Sequence, residues 1–202
     1  MSLFAAALLA PLMLLQTSAA EVEAARFQQC LAQVEANASR GYEEGMAWAA
    51  EGQSLNAYRC AALALVAMER YNEGARRLES LARSISSANN GLQAELFSQA
   101  GNAWLLAREP GQARSALTQA IAAIGADPGQ MPDLLIDRAR AYAMERDWRR
   151  AEEDLSAALD LRANDPLALR LRASARMHQR AYPLAEADAL AATRLEPDNV
   201  DN

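Results

Sequence analysis

Few side chains in this 202-residue sequence could carry out proton-transfer or covalent chemistry. His178 is the single histidine, so a nucleophilic triad or a multi-histidine metal site would rest on it alone. It stands between Arg176 and Arg180, with no Ser, Cys or carboxylate at a recurrent catalytic spacing, and reads as an exposed structural histidine. All 20 basic residues are arginine, which removes Schiff-base lysines, lysine general bases and the lysine of phosphate-binding loops. The acidic pairs Glu43-Glu44 and Glu152-Glu153 are adjacent along the chain. On a helix such neighbours point about 100° apart and do not face one substrate. Cys30 and Cys60 form no C-x-x-C redox motif and have no metal-ligand spacing. No catalytic residue, metal site or cofactor is therefore expected, and the chain does not read as an enzyme.

The formal charge of −6 argues against a protein that coats nucleic acid. Arginines are interleaved with acids, as in "AMERDWRRAEEDL" from Ala143 to Leu155, which reads as solvated helix faces laced with weak ion pairs. Residues 1–20 carry no charged side chain; an apolar run from Leu3 to Leu15 leads to Gln16-Thr17-Ser18 and then Ala19-Ala20. The small residues Ser18 and Ala20 suit signal peptidase, and 1–20 reads as a cleaved signal peptide that places the protein in the periplasm. An uncleaved inner-membrane anchor facing the periplasm is the alternative, and only then would the chain contact a membrane. Absence of lysine with excess Ala and Arg is associated with GC-rich coding and hence with bacteria. In an oxidising compartment Cys30 and Cys60 read as one disulfide, the alternative being two small buried residues.

What must position any functional residue is helix. Hydrophobic residues make up 51% of the chain but aromatics only 5%, and 48 positions are alanine, the best helix former. Apolar periodicity predicts ten helices at about 22–36, 40–51, 55–68, 72–84, 92–107, 111–124, 132–145, 149–161, 166–179 and 183–194. Trp148, Ala151, Leu155 and Ala158 recur 34 residues later as Tyr182, Ala185, Ala189 and Ala192. A 34-residue period built from two helices is the length signature of a solenoid.

These residues resemble the tetratricopeptide repeat superfamily, in its exported bacterial type. The small residue of helix A is matched by Ala62, Gly101, Ala139 and Ala173; the aromatic gap-fillers by Trp104, Tyr142, Trp148 and Tyr182. Small residues of helix B are matched by Gly74, Ala113, Ala151 and Ala185, and further along by Ala120, Ala158 and Ala192. Arg176 stands where an aromatic is expected, and Leu81 where a small residue is.

The resemblance implies an all-α, right-handed solenoid of stacked antiparallel helix pairs. Residues 21–54 form a degenerate N-terminal capping pair, and four repeats fill 55–202, at about 55–88, 94–127, 132–165 and 166–199. Parallel A helices of successive repeats lie side by side, so Cys30 and Cys60 meet across the boundary between cap and first repeat. "SISSANNG" (Ser84 to Gly91) and "GADPGQMPD" (Gly125 to Asp133) are turn-rich insertions, read as spacers or as recognition loops.

The resemblance also implies a non-catalytic protein–protein interaction scaffold of the cell envelope. Its concave helix-A surface would hold a peptide or protein segment through Arg59, Asn102, Leu105, Leu106, Arg140, Met144, Arg170 and Met177. Leu105, Leu106 and Met144 read equally as inter-repeat core. Asn102 matches one site of the carboxylate clamp of chaperone-binding relatives, but Ser98, Asp133 and Asp137 occupy the other clamp sites and would repel an acidic tail. The alternative is an accessory envelope subunit that docks or self-associates through an uncapped fourth repeat, unless Arg170, Arg172, Arg176 and Arg180 solvate that end by themselves.

Overall fold

The computed structural model describes residues 18–86, 89–125 and 129–197. Ten helices follow one another: α1 (Ala19–Ala36), α2 (Ala38–Gly52), α3 (Leu55–Ala67), α4 (Tyr71–Ser84) and α5 (Asn90–Leu106). The second half adds α6 (Pro110–Ile124), α7 (Met131–Met144), α8 (Trp148–Leu161), α9 (Pro166–His178) and α10 (Tyr182–Leu195). All ten predicted helices are present, each within a few residues of the expected ends. The chain is an all-α solenoid, with no strand among the described residues. Each helix packs on its neighbours in sequence, and α1 on α3, α5 on α7 and α7 on α9 also touch. Odd-numbered helices therefore form one row (A) and even-numbered helices a second (B).

Local chemistry fixes the helix ends. Asn37, Ser54, Asn89, Asp147 and Asp165 each accept a hydrogen bond from the amide three residues on, at 2.8–3.4 Å. Proline opens α6, α7, α9 and α10, where its missing N–H has no helical partner to lose. Ser18 caps α1 in a reciprocal box with Glu21, whose carboxyl is held below its ordinary pKa by the Ser18 backbone and side-chain bonds. The apolar run Leu3–Leu15 lies outside the described residues, and no described helix is long and apolar enough to cross a membrane.

The core is serial, as in a solenoid. Phe27, Val34, Trp48 and Ala64 surround the Cys30–Cys60 disulfide, which joins α1 to α3 with Cα atoms 6.3 Å apart. Leu78, Leu96, Trp104 and Leu117 form the middle cluster, and Leu135, Ile136, Leu155 and Ala192 the last. Of the positions expected to pack the repeats, Ala62, Gly101, Trp104, Ala113, Ala139, Ala151, Ala158, Ala185 and Ala192 are buried, while Tyr142, Trp148 and Ala173 are half-buried. Tyr182 is not packed: it is 59% exposed, because no described helix covers the outer side of α9 and α10.

Gly41 and Gly74 are among the glycines that sit where helices nearly touch. A Cβ on Gly41 would lie 2.6 Å from Cγ2 and 2.8 Å from Cα of Val34, so α1 and α2 would have to separate. Gly74 would meet Val66 Cγ2 at 2.6 Å and the Ala62 carbonyl at 2.9 Å. Gly41→Ala should cost about 1–3 kcal/mol through this overpacking, against the gain alanine normally brings to a helix. Urea unfolding of the two proteins reads the difference.

Candidate functional site: the A-helix face and its C-terminal edge

Ala67, Leu106, Met144 and His178 are the last residues of α3, α5, α7 and α9, and so recur at one edge of the A row. Leu106 and Met144 are 52% and 42% exposed, and Met177, next to His178, is 61% exposed. His178 stacks on the Trp148 indole, with centroids 3.9 Å apart and planes 10° from parallel. Beside this stack Ala143, Met144 and Arg146 line an open groove of about 410 Å³.

Four A helices, α3, α5, α7 and α9, end the same way. Residues Glu69, Arg108, Arg146 and Arg180 take left-handed backbone, with φ of 58–62°. The following amide reaches back five residues, from Arg70 to Leu65, Glu109 to Trp104, Asp147 to Tyr142 and Ala181 to Arg176, at 2.9–3.0 Å. This is the Schellman closure, which ordinarily takes glycine at its left-handed residue. A side chain there costs about 1 kcal/mol. Arg146→Gly should therefore raise stability by about 0.5–1 kcal/mol, read as an upward shift in thermal midpoint. Three successive turns carry an exposed arginine in that strained position, each beside the exposed end of an A helix.

The other expected partner-binding residues are distributed differently. Arg59 is only 7% exposed: its guanidinium lies 4.8 Å above the Phe27 ring, donates to Gln99 Oε1 at 3.1 Å and pairs with Glu95. It is an internal strut among α1, α3 and α5, not a surface residue. Leu105 is also core, 7% exposed, because the helix turns it toward the middle cluster while Leu106 faces outward. Asn102 donates to Asp137 Oδ2 at 2.8 Å, and Arg140 donates to Asp137 Oδ1 at 3.0 Å. Arg170 is half-buried and bonds Glu196 at 2.6 Å. The Asn102 amide is thus engaged within the fold, and the acid-repelling Asp137 stands next to it.

A second set of arginines on the A helices pairs with carboxylates inside the fold. Arg138 makes a bidentate pair with Asp154, both bonds 2.8 Å, and Arg172 makes the same pair with Asp188. Each also reaches a hydroxyl of the preceding B helix, Thr118 at 3.4 Å and Ser156 at 3.2 Å. Arg176, in place of an aromatic, bridges Glu152 at 2.7 Å and Asp188 at 2.8 Å. The carboxylate bonds hold Arg138 and Arg172 above the ordinary guanidinium pKa. Asp154 and Asp188 are buried, so part of the "AMERDWRRAEEDL" segment is interior and not a solvated face. The legible signal is an Arg–Asp spacing of 16 that recurs one repeat later.

Among the described residues no group of three or more His, Cys, Asp or Glu is placed to hold a metal. The geometry offers contact surfaces: exposed aliphatic side chains, arginines and one aromatic stack.

By sequence, no protein-family model and no curated protein matches the chain. By structure it is similar to MamA (residues 41 to the end) from Desulfovibrio magneticus RS-1, with TM-score 0.71 and 15% identity over 90% of this chain and 97% of that one. YrrB, described as a tetratricopeptide-repeat protein with an unusual peptide-binding site, superposes with TM-score 0.68 and 15% identity over 91% of this chain and 96% of YrrB. The first such domain of Spaghetti (RPAP3), solved with the HSP90 peptide SRMEEVD, gives TM-score 0.51 and 26% identity over 58% of this chain and 86% of that domain. The chain is a protein of tetratricopeptide-repeat fold.

Proposed function

We propose that the protein is a non-catalytic interaction scaffold of a bacterial cell envelope, exported by its N-terminal segment, that holds a peptide or protein segment along the A-helix row. The observation that carries this reading is the strip of Leu106, Met144 and Met177, exposed at successive A-helix ends beside Arg108, Arg146 and Arg180. Aliphatic contacts supply affinity in such grooves and a few charged groups fix register. The Cys30–Cys60 bond supports an oxidising compartment.

Peptide binding by YrrB and by the RPAP3 domain supports the class of activity. The peptide chemistry of the RPAP3 domain does not transfer, since Asp137 occupies the Asn102 amide on which a carboxylate tail would depend.

The test is retention of the partner co-purified after mild crosslinking in the native cell. A Leu106→Glu, Met144→Glu double variant, folded by circular dichroism, should lose at least nine-tenths of it. Undiminished recovery would exclude this strip. Release of the protein by osmotic shock, with a mature N-terminus at Glu21, is the expected result for export; retention in the cytosol would refute it.

A further inference from the structure

One groove of this molecule occurs twice, once filled and once open. In the first, α7 and α8 present Ala139, Ala143, Trp148, Ala151 and Leu155, and α9 lies against them with Leu171 and Ala175, leaving a residual cavity of about 40 Å³. In the second, 34 residues on, α9 and α10 present Ala173, Met177, Tyr182, Ala185 and Ala189 around an open groove of about 460 Å³. The surfaces correspond position by position, with Met177 larger than Ala143 and Ala189 smaller than Leu155. The filled copy shows what chemistry the open one accepts.

Among the contacts that hold α9 in the filled groove besides its apolar pair, three matter here. Arg176 donates to Glu152 at 2.7 Å, Gln179 donates to the other oxygen of Glu152 at 2.7 Å, and His178 stacks on Trp148. The open groove repeats the two receiving groups: Glu186 stands where Glu152 does, exposed at the rim, and Tyr182 offers its ring where Trp148 does. Arg170 and Ser174 complete the lining, so a largely apolar channel with a carboxylate on its rim awaits donors on one side and a planar group at its end.

We propose that the α9–α10 groove is the docking site for an amphipathic helix of a partner protein, laid as α9 lies on α7–α8. That helix carries small or aliphatic residues at i and i+4, donors at i+5 and i+8 directed at Glu186, and an aromatic or imidazole ring at i+7 over Tyr182. The partner continues the solenoid in trans by one A helix. This site shares Met177 with the A-helix strip but includes neither Leu106 nor Met144, and it stands on the repeat geometry alone.

The chain's own α9 supplies the probe: a fluorescent peptide copying residues 165–180, stapled on its solvent side so that it is helical before binding. Titrated with the full mature chain, it should bind saturably, with a Kd on the order of 10 μM. Glu186→Arg should weaken it at least tenfold, and a peptide carrying Arg176→Glu should recover most of that loss. Met144→Glu should leave it unchanged, which separates this site from the A-helix strip. Absence of saturable binding, or binding indifferent to Glu186→Arg, would overturn the proposal. So would a dimer of the chain alone that Glu186→Arg dissolves, since the groove would then belong to a second copy.

Discussion

Asp188→Ala is expected to destabilise the protein by about 3 kcal/mol and to unfold the last repeat ahead of the others. Asp188 is only 5% exposed and accepts three charge-assisted bonds, two from Arg172 and one from Arg176, all at 2.8 Å. Removing it leaves two guanidinium groups in a largely dry site with Glu152 and Ser156 as remaining partners. Stranding a buried charge costs about 3–5 kcal/mol, and the lower figure applies because the arginine side chains keep 18% and 15% of their surface in water. Asp154→Ala strands one arginine and should cost less, about 2 kcal/mol. Urea unfolding followed by circular dichroism gives both values, and hydrogen exchange in α9 and α10 gives their location. A loss under about 0.5 kcal/mol for Asp188→Ala would mean that the arginines find water instead, as in an ordinary surface pair.

Loss of the disulfide is the second large effect. Cys30 and Cys60 are buried with Phe27, Val34 and Trp48, and their bond ties α1 to α3. Closing a loop over a separation of 30 residues restricts the unfolded chain by about 3–4 kcal/mol in the chain-entropy treatment. The Cys30→Ala, Cys60→Ala double variant should melt well below the wild-type protein under oxidising conditions. Dithiothreitol should lower the wild-type midpoint toward that of the variant and leave the variant where it was. A wild-type midpoint indifferent to reductant would remove the bond from the account of stability.

The helices, their caps and the 34-residue period were readable because each is a local property: alanine content, apolar spacing, and Ser, Asn, Asp or Pro at the starts. The meeting of Cys30 with Cys60 was readable from the side-by-side placement of A helices. Burial of charge was not. Asp154 and Glu153 are neighbours of like type, and only the crossing of α7 over α8 decides that one is enclosed by Arg138 and the other reaches water. The same holds for Leu105 and Leu106, whose fates diverge through their phase on α5. Arg59 reads as a groove residue by position, yet Phe27 of α1 roofs it, and no repeat pattern foretells that ring. Left-handed backbone at Arg108, Arg146 and Arg180 was equally hidden, because those turns lack the glycine that would advertise it.

A partner seated on the A-helix edge would contact Met144 and not the exposed Glu153 on α8, and a photo-reactive residue placed at each position in the native cell separates the two cases. Irradiation should give one discrete adduct from Met144, abolished by Leu106→Glu, and none from Glu153. Equal labelling from both positions, or an adduct from Glu153 alone, would place the partner on the B row and contradict the account.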